Sequence, residues 1–125
     1  MVQQNPIILL TKGLSIFDNE LSTLSDKIKK LLKKEGYKEI NISAIKGPCL
    51  AAGLANKMRT GTVIANPNLD ESHNLSKIIS TEYYSTEISE DLTGVELSGA
   101  IKNIYSMLIG ASEGLSNSKA PKEIQ

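Results

Sequence analysis

Short apolar runs alternate with amphipathic stretches along this chain, and the alternation closes on one long helical segment with no element after it to pack against. Pro6-Ile7-Ile8-Leu9-Leu10-Thr11 is continuous and apolar, which predicts a strand buried on both faces, as in a parallel sheet. It runs into Lys12-Gly13, a loop at a strand's carboxyl end, where ligands of open α/β sheets tend to sit. Thr23-Leu24-Ser25-Asp26 matches a capping box and opens a helix. Ile28, Leu31 and Leu32 form its expected buried stripe, and Gly36 its C-terminal stop. Ile40-Asn41-Ile42-Ser43-Ala44-Ile45 alternates apolar and polar, a strand with one face covered, and Lys46-Gly47-Pro48 ends it. Cys49 to Met58 reads as a short alanine-rich helix, and Thr62-Val63-Ile64-Ala65 as a strand closed by Asn66-Pro67-Asn68. Leu75 to Ser80 is helical from a start near Asp70, and Tyr83 to Ile88 is a further strand. Ser89 is the expected cap of a helix that continues to about Leu115. At about 1.5 Å per residue it spans roughly 35–40 Å, enough to run between two domains. Its apolar positions Ile104, Leu108, Ala111 and Leu115 call for a cover: a partner chain, a second copy, or further polypeptide.

At 125 residues the chain is sized for one domain with a real core. Phe17 and four tyrosines are its only aromatics, so that core must be built of Ile, Leu, Val and Ala. Fourteen basic and fourteen acidic side chains cancel, leaving no global field to draw in nucleic acid or an anionic membrane. The lysines at 27, 29, 30, 33, 34 and 38 read as the wet face of one helix, ahead of a phosphate-backbone site. A lone cysteine, Cys49, excludes an internal disulfide and fits a reducing compartment. One Cys and one His cannot make a structural zinc site, so no metal is expected, and His73 lies in a polar, exposed run. No apolar run approaches the roughly 18–20 residues of a membrane span, and no secretory signal opens the chain. The expected location is the cytoplasm.

Gly94, Ser98, Lys102, Ser106 and Gly110 recur at every fourth position of the long helix and so share one face, with Gly99 and Asn103 beside them. Small residues let a ligand or another backbone approach, and a charged amine stands in the middle of the track. The competing reading is a helix-packing seam whose lysine snorkels to water. Lys12, at a strand's carboxyl end, suits a phosphate or a polarised oxygen. A second lysine in a partly desolvated pocket near another positive charge would have a lowered pKa and could exchange a proton. Gly47-Pro48 adds a sharp turn whose backbone can come close to a ligand.

Thr11-Lys12-Gly13-Leu14, Lys46-Gly47-Pro48-Cys49-Leu50-Ala51 and Gly94-Val95-Glu96-Leu97-Ser98-Gly99-Ala100-Ile101-Lys102-Asn103, in this order, resemble the NAD(P)-dependent glycerol-3-phosphate dehydrogenases. Glu113-Gly114-Leu115 continues the pattern, and the resemblance runs over nearly the whole chain as the middle of the family enzyme. It implies an α/β fold: the C-terminal part of a Rossmann-like nucleotide-binding domain over 1–89, without its glycine-rich first unit. One long helix of the family's α-helical domain would follow over 90–115, and a polar tail over 116–125. It implies that Lys102 is the catalytic proton acceptor and donor, and that Lys12, Gly47, Cys49, Lys102 and Asn103 contact substrate. Lys12 and Ala51 would contact the cofactor, NAD or NADP. The substrate implied is small and phosphorylated: sn-glycerol 3-phosphate, interconverted with dihydroxyacetone phosphate.

The sequence also departs from the family. Cys49 stands where a hydroxyl residue is usual, and Leu50 where an aromatic is common. No G-x-G-x-x-G follows an N-terminal strand, and the downstream Asp and Arg-Asn pair are not among these residues. The 125 residues alone are therefore not expected to turn over. Two other readings stand beside this one: a non-catalytic truncated or split module that pairs through its last helix, and a ketopantoate-reductase-like enzyme. The Gly-Val-Glu-Leu lead-in to Lys102 favours the glycerol-3-phosphate dehydrogenase pattern over the latter. A homodimer or a complementary domain would cover the last helix.

Overall fold

The computed structural model describes residues 5–118. Four strands form the main sheet: β1 (Ile7–Leu9), β4 (Ile42–Lys46), β5 (Thr60–Ala65) and β6 (Tyr84–Ser89), side by side in that order. A separate hairpin, β2 (Leu14–Phe17) with β3 (Glu20–Thr23), leads into helix α1 (Leu24–Lys34). Helix α2 (Ala51–Ala55) links β4 to β5, α3 (Leu69–Ile79) links β5 to β6, and α4 (Leu92–Ser118) follows. β1 runs parallel to β4 and β5 to β6, but β4 and β5 are antiparallel. The link between β4 and β5 holds only a five-residue helix, so β5 returns beside β4 instead of crossing over. The sheet is thus mixed where the first strand alone suggests a parallel one.

Aliphatic side chains make the core, as the shortage of aromatics requires. Leu9, Ile42, Ala44, Ala65 and Leu92 are buried together, with Ile7, Leu24, Ile28, Ile40 and Val95 against them. β4 is covered on both faces, more than its alternation predicts. Its buried Ser43 hydroxyl is satisfied by the Asn66 side chain, which donates to it at 2.8 Å and to Asn41 Oδ1 at 2.8 Å. Among the described residues β1 is paired on one side, by β4, and Ile8 and Leu10 are exposed, so the run is not buried on both faces here.

The helix signals act locally. Thr23 caps α1, its hydroxyl accepting from the Asp26 amide at 3.2 Å. Gly36 stops α1 at φ +94, with the Tyr37 and Gly36 amides donating to the carbonyls of Leu32 and Lys33 at 3.1 Å. Ile28 and Leu32 face inward, whereas Leu31 is exposed. On the opposite side Lys30 and Lys34 stand over the Phe17 ring at 5.3 and 4.8 Å, and Lys27 donates to Ser15 Oγ, so three of the helix lysines serve the hairpin. α2 is shorter than Cys49 to Met58, and α3 starts after Asn68, which caps it by accepting from the Asp70 amide. α4 begins at Leu92; Asp91, not Ser89, caps it, accepting from the Gly94 amide at 2.8 Å. The helix takes in Ser116 to Ser118 of the expected polar tail, and 119–125 lie outside the described residues. No helix among the described residues is long and apolar enough to cross a membrane.

Candidate functional site

β1 and β4, being parallel, finish at the same edge of the sheet, and each is followed by Lys-Gly or ends in it: Thr11-Lys12-Gly13 and Ile45-Lys46-Gly47. The early turns of α4 cross the end of β4. Between them lies a cavity of about 280 Å³. Its cations are Lys12, Lys46 and Lys102, its small residues Gly47, Ser98 and Gly99, and its apolar wall Pro48, Val63 and Val95. Three lysines from three separate elements border this cavity, whose wall is mainly apolar, and the Lys46 ammonium is taken by the Leu9 and Thr11 carbonyls.

The track of small residues divides here. Ser98 and Lys102 face the cavity, and Gly99 lies against the side chain of Lys46. Ser106 instead donates to the Lys102 carbonyl at 3.2 Å, and open space surrounds Gly110. Of the residues expected at the site, Lys12, Gly47 and Lys102 come together on the cavity. Cys49 is half-buried, and Ala51 and Asn103 are exposed; none of these three lines it. Lys12 and Lys102 are exposed at its wall, so the partly desolvated lysine expected of a proton-exchange site is neither of them.

That lysine is Lys46. It is only 6% exposed, and its ammonium donates to the carbonyls of Thr11 and, at 3.4 Å, Leu9. Burial pushes it below the usual lysine value of 10.5; Glu96 opposes the shift and Lys12 adds to it. Because the folded value lies below the unfolded one, the buried charge is a full cost below the folded value. That cost is relieved as pH rises through the folded value toward 10.5. Wild type is therefore expected to gain stability relative to Lys46→Met as urea denaturation is repeated from neutral pH toward 10.5. A difference that stays constant with pH would mean that Lys46 titrates as a free lysine does.

Gly47 has a structural reason to be glycine. A Cβ there would lie 2.8 Å from the Thr62 Cα and 3.0 Å from the Gly61 carbonyl, both backbone atoms of β5. The close approach the sequence suggests for a ligand is made first to the neighbouring strand. Gly47→Ala is expected to destabilise the chain by about 1–3 kcal/mol, the range for forced overpacking, and a thermal melt measures it. An unchanged melting point would show that β4 and β5 can separate locally without cost.

Of the residues lining the cavity, sequence reasoning singles out Lys12, Gly47, Ser98, Gly99 and Lys102 and passes over Lys46, Val63 and Val95. A signal for Lys46 is present: it repeats the strand-end Lys-Gly of Lys12-Gly13 on the strand that pairs with β1.

A mixed α/β sheet whose strand ends meet a long helix at a lysine-bordered cavity defines part of a Rossmann-like unit with its following helix. Known proteins give the particular family. Over 90% of its length the chain is 34% identical to an NADP(+)-dependent glycerol-3-phosphate dehydrogenase of Archaeoglobus fulgidus, of which it covers 33%. It is 32% identical over 91% of its length to the glycerol-3-phosphate dehydrogenase [NAD(P)+] of a Geobacter species, covering 34% of that protein. The solved glycerol-3-phosphate dehydrogenase of Plasmodium falciparum superposes with a TM-score of 0.74 at 26% identity, over 90% of this chain and 31% of that one. No family model matches. The chain is related to the NAD(P)-dependent glycerol-3-phosphate dehydrogenases and corresponds to one segment of their fold, spanning about a third of the length of the curated relatives it matches.

Proposed function

We propose that these residues supply the lysine-bearing half of an active site that interconverts sn-glycerol 3-phosphate and dihydroxyacetone phosphate. The observation that carries the reading is the convergence of Lys12 and Lys102, the two positions the family resemblance marks, on one cavity with Lys46. At about 280 Å³ the cavity matches a small phosphorylated three-carbon molecule and lies just below the usual range of roughly 300–1,000 Å³ for larger ligands. Lys12 binds the anion at the end of β1. Lys102 holds the proton at the substrate oxygen, giving it to the carbonyl oxygen on reduction and taking it from the hydroxyl on oxidation. Ser98 leaves room beside Lys102 for the reacting carbon, while Gly99 makes room for the stem of Lys46. Val63, Val95 and Pro48 exclude water from one side.

A nicotinamide, when bound, supplies or accepts the hydride at that carbon. The residues here fit only its reacting end, at Lys12. Ala51 stands outside the cavity and the glycine cradle for a pyrophosphate is not in this sequence, so NAD or NADP would be held chiefly by groups beyond these residues. Gly47, Cys49 and Asn103 belong to the same substrate-contact proposal, of which Gly47 alone lines the cavity. The division at 89 and 90 and a cytoplasmic location are parts of the same reading. So is a homodimer or complementary domain over α4, where Ile104, Met107 and Leu108 are exposed.

The test is an NMR titration of the 125-residue chain with dihydroxyacetone phosphate, alongside an assay of NADH oxidation. Shifts concentrated at residues 12, 47, 98 and 102, without turnover, are expected. Absence of any shift at these positions would overturn the substrate assignment, and turnover abolished by Lys102→Ala would overturn the half-site. A non-catalytic module that pairs through α4 would instead give a stable dimer with no response to the phosphate.

A further inference from the structure

Lys46 stands inside one of the family-like segments without a role in it, yet it touches both elements that carry the site lysines. The register Leu9↔Ala44 puts Thr11, two residues on, opposite Lys46. β1 stops at Leu9, so the carbonyl of Thr11 lies beyond the strand ladder. The Lys46 ammonium takes that carbonyl and the one of Leu9. The Thr11 carbonyl belongs to the same planar peptide unit as the Lys12 nitrogen, so fixing one orients the other. At its other end the side chain is a spacer. A Cβ added at Gly99 would sit 3.2 Å from Lys46 Cδ and 3.4 Å from Cγ, so the stem lies directly on the Gly99 turn of α4. Lys102 is three residues further on, on the adjoining turn of the same face.

We infer that Lys46 is a positioning residue: its ammonium holds the Thr11–Lys12 peptide and its stem seats the Gly99 turn, which together set the separation of Lys12 and Lys102. Arginine and methionine separate the parts of this device. Arginine keeps a permanent donor on a long stem, whereas methionine keeps an unbranched stem and loses the donor. Lys46 itself need not touch the substrate. The inference rests on the reading that Lys12 and Lys102 act in one site, and its geometric content is measurable without any ligand.

The experiment uses the whole 125-residue chain as wild type, Lys46→Arg, Lys46→Met and Gly99→Ala, each checked by circular dichroism. A short-arm amine cross-linker is applied, and the Lys12–Lys102 product is quantified by mass spectrometry against the Lys30–Lys34 product on α1. Wild type and Lys46→Arg are expected to give similar yields, and Lys46→Met a yield several-fold lower. Gly99→Ala, which keeps the lysine but displaces its stem, is expected to fall between. A folded Lys46→Met with the wild-type yield would overturn the inference; if that variant does not fold, an unchanged yield in Gly99→Ala overturns it. The same proteins are titrated with dihydroxyacetone phosphate, where Lys46→Met is expected to bind several-fold more weakly and Lys46→Arg to restore the affinity. A wild type that cross-links but does not bind the phosphate defeats the functional reading, while the cross-link yields still decide the role of Lys46.

Discussion

Lys102→Ala is expected to lower reduction of dihydroxyacetone phosphate by the polypeptide in its native length by about 10²–10⁴-fold, the contribution of a positioned acid–base group. Its melting point should hardly move. The two halves of the expectation come from different facts. Lys102 lines the cavity, and in the proposed function its amine serves the oxygen that gains or loses a proton there. It is also exposed on α4, which keeps the expected stability change within about 0.5 kcal/mol. Steady-state NADH oxidation and a thermal melt on the same preparation separate them. Lys12→Ala is the companion: a residue that binds the phosphate in ground and transition state alike raises KM and leaves kcat closer to wild type. Unchanged kcat and KM in Lys102→Ala would make this lysine a bystander on a packing track. A large fall in melting point would make it structural.

Local chemistry was legible wherever one residue decides the outcome. Thr23 starts α1 and Gly36 ends it through bonds reaching no further than the adjoining turn, so their sequence neighbours suffice to predict them. Position in the sheet was not legible in this way. Pro6 to Thr11 is apolar enough for a central strand; among the described residues it pairs with β4 on one side, and no local pattern records pairing order. The β2–β3 hairpin turns on Asp18-Asn19, a dipeptide less marked than one with glycine, whose φ of 51 and 63 form the left-handed pair that a two-residue turn requires. Asp91 rather than Ser89 caps α4 because the Ser89 hydroxyl is occupied in accepting from the Asp91 amide.

The site divides along the same line. Lys12 and Lys102 stand out in sequence because each interrupts an apolar or small-residue context. Lys46 does so less, since a lysine closing a strand reads as solvated, and its burial depends on Thr11 and Gly99, which are distant in the chain. Glu96 is the sharper case. On α4 it shares a face with Leu92, Val95 and Gly99, where a carboxylate has no local reason to be. Its reason lies 71 residues away, at the start of α1.

Glu96→Ala is expected to destabilise the fold by about 3 kcal/mol, from the loss of hydrogen bonds to a charged acceptor and the unpaired groups left behind. Glu96 is 2% exposed and accepts from the Ser25 amide at 3.1 Å and from the Ser25 hydroxyl. Ser25 is itself buried, in the first turn of α1, where amides have no partner within the helix. Thr23 takes the Asp26 amide, and Glu96 takes that of Ser25 from a different helix, with its charge at the favourable end of the α1 dipole. Removing the carboxylate strands the buried Ser25 amide, leaves the Ser25 hydroxyl with Thr23 Oγ1 at 3.2 Å, and frees α4 from α1 just before the turn that carries Lys102. Urea denaturation measures the loss, and a value under about 1 kcal/mol would mean that water or Thr23 takes over the Ser25 donors. Glu96→Gln keeps an acceptor and removes the charge, so it should cost less than alanine. It also removes the influence that opposes the lowering of Lys46, moving the folded value of that lysine further down. The pH-driven gain in stability of Glu96→Gln should therefore begin at lower pH than in wild type. If both variants lose equally and the onset does not move, the carboxylate acts by shape alone, and its charge has no part in holding α4 to α1 or in supporting Lys46.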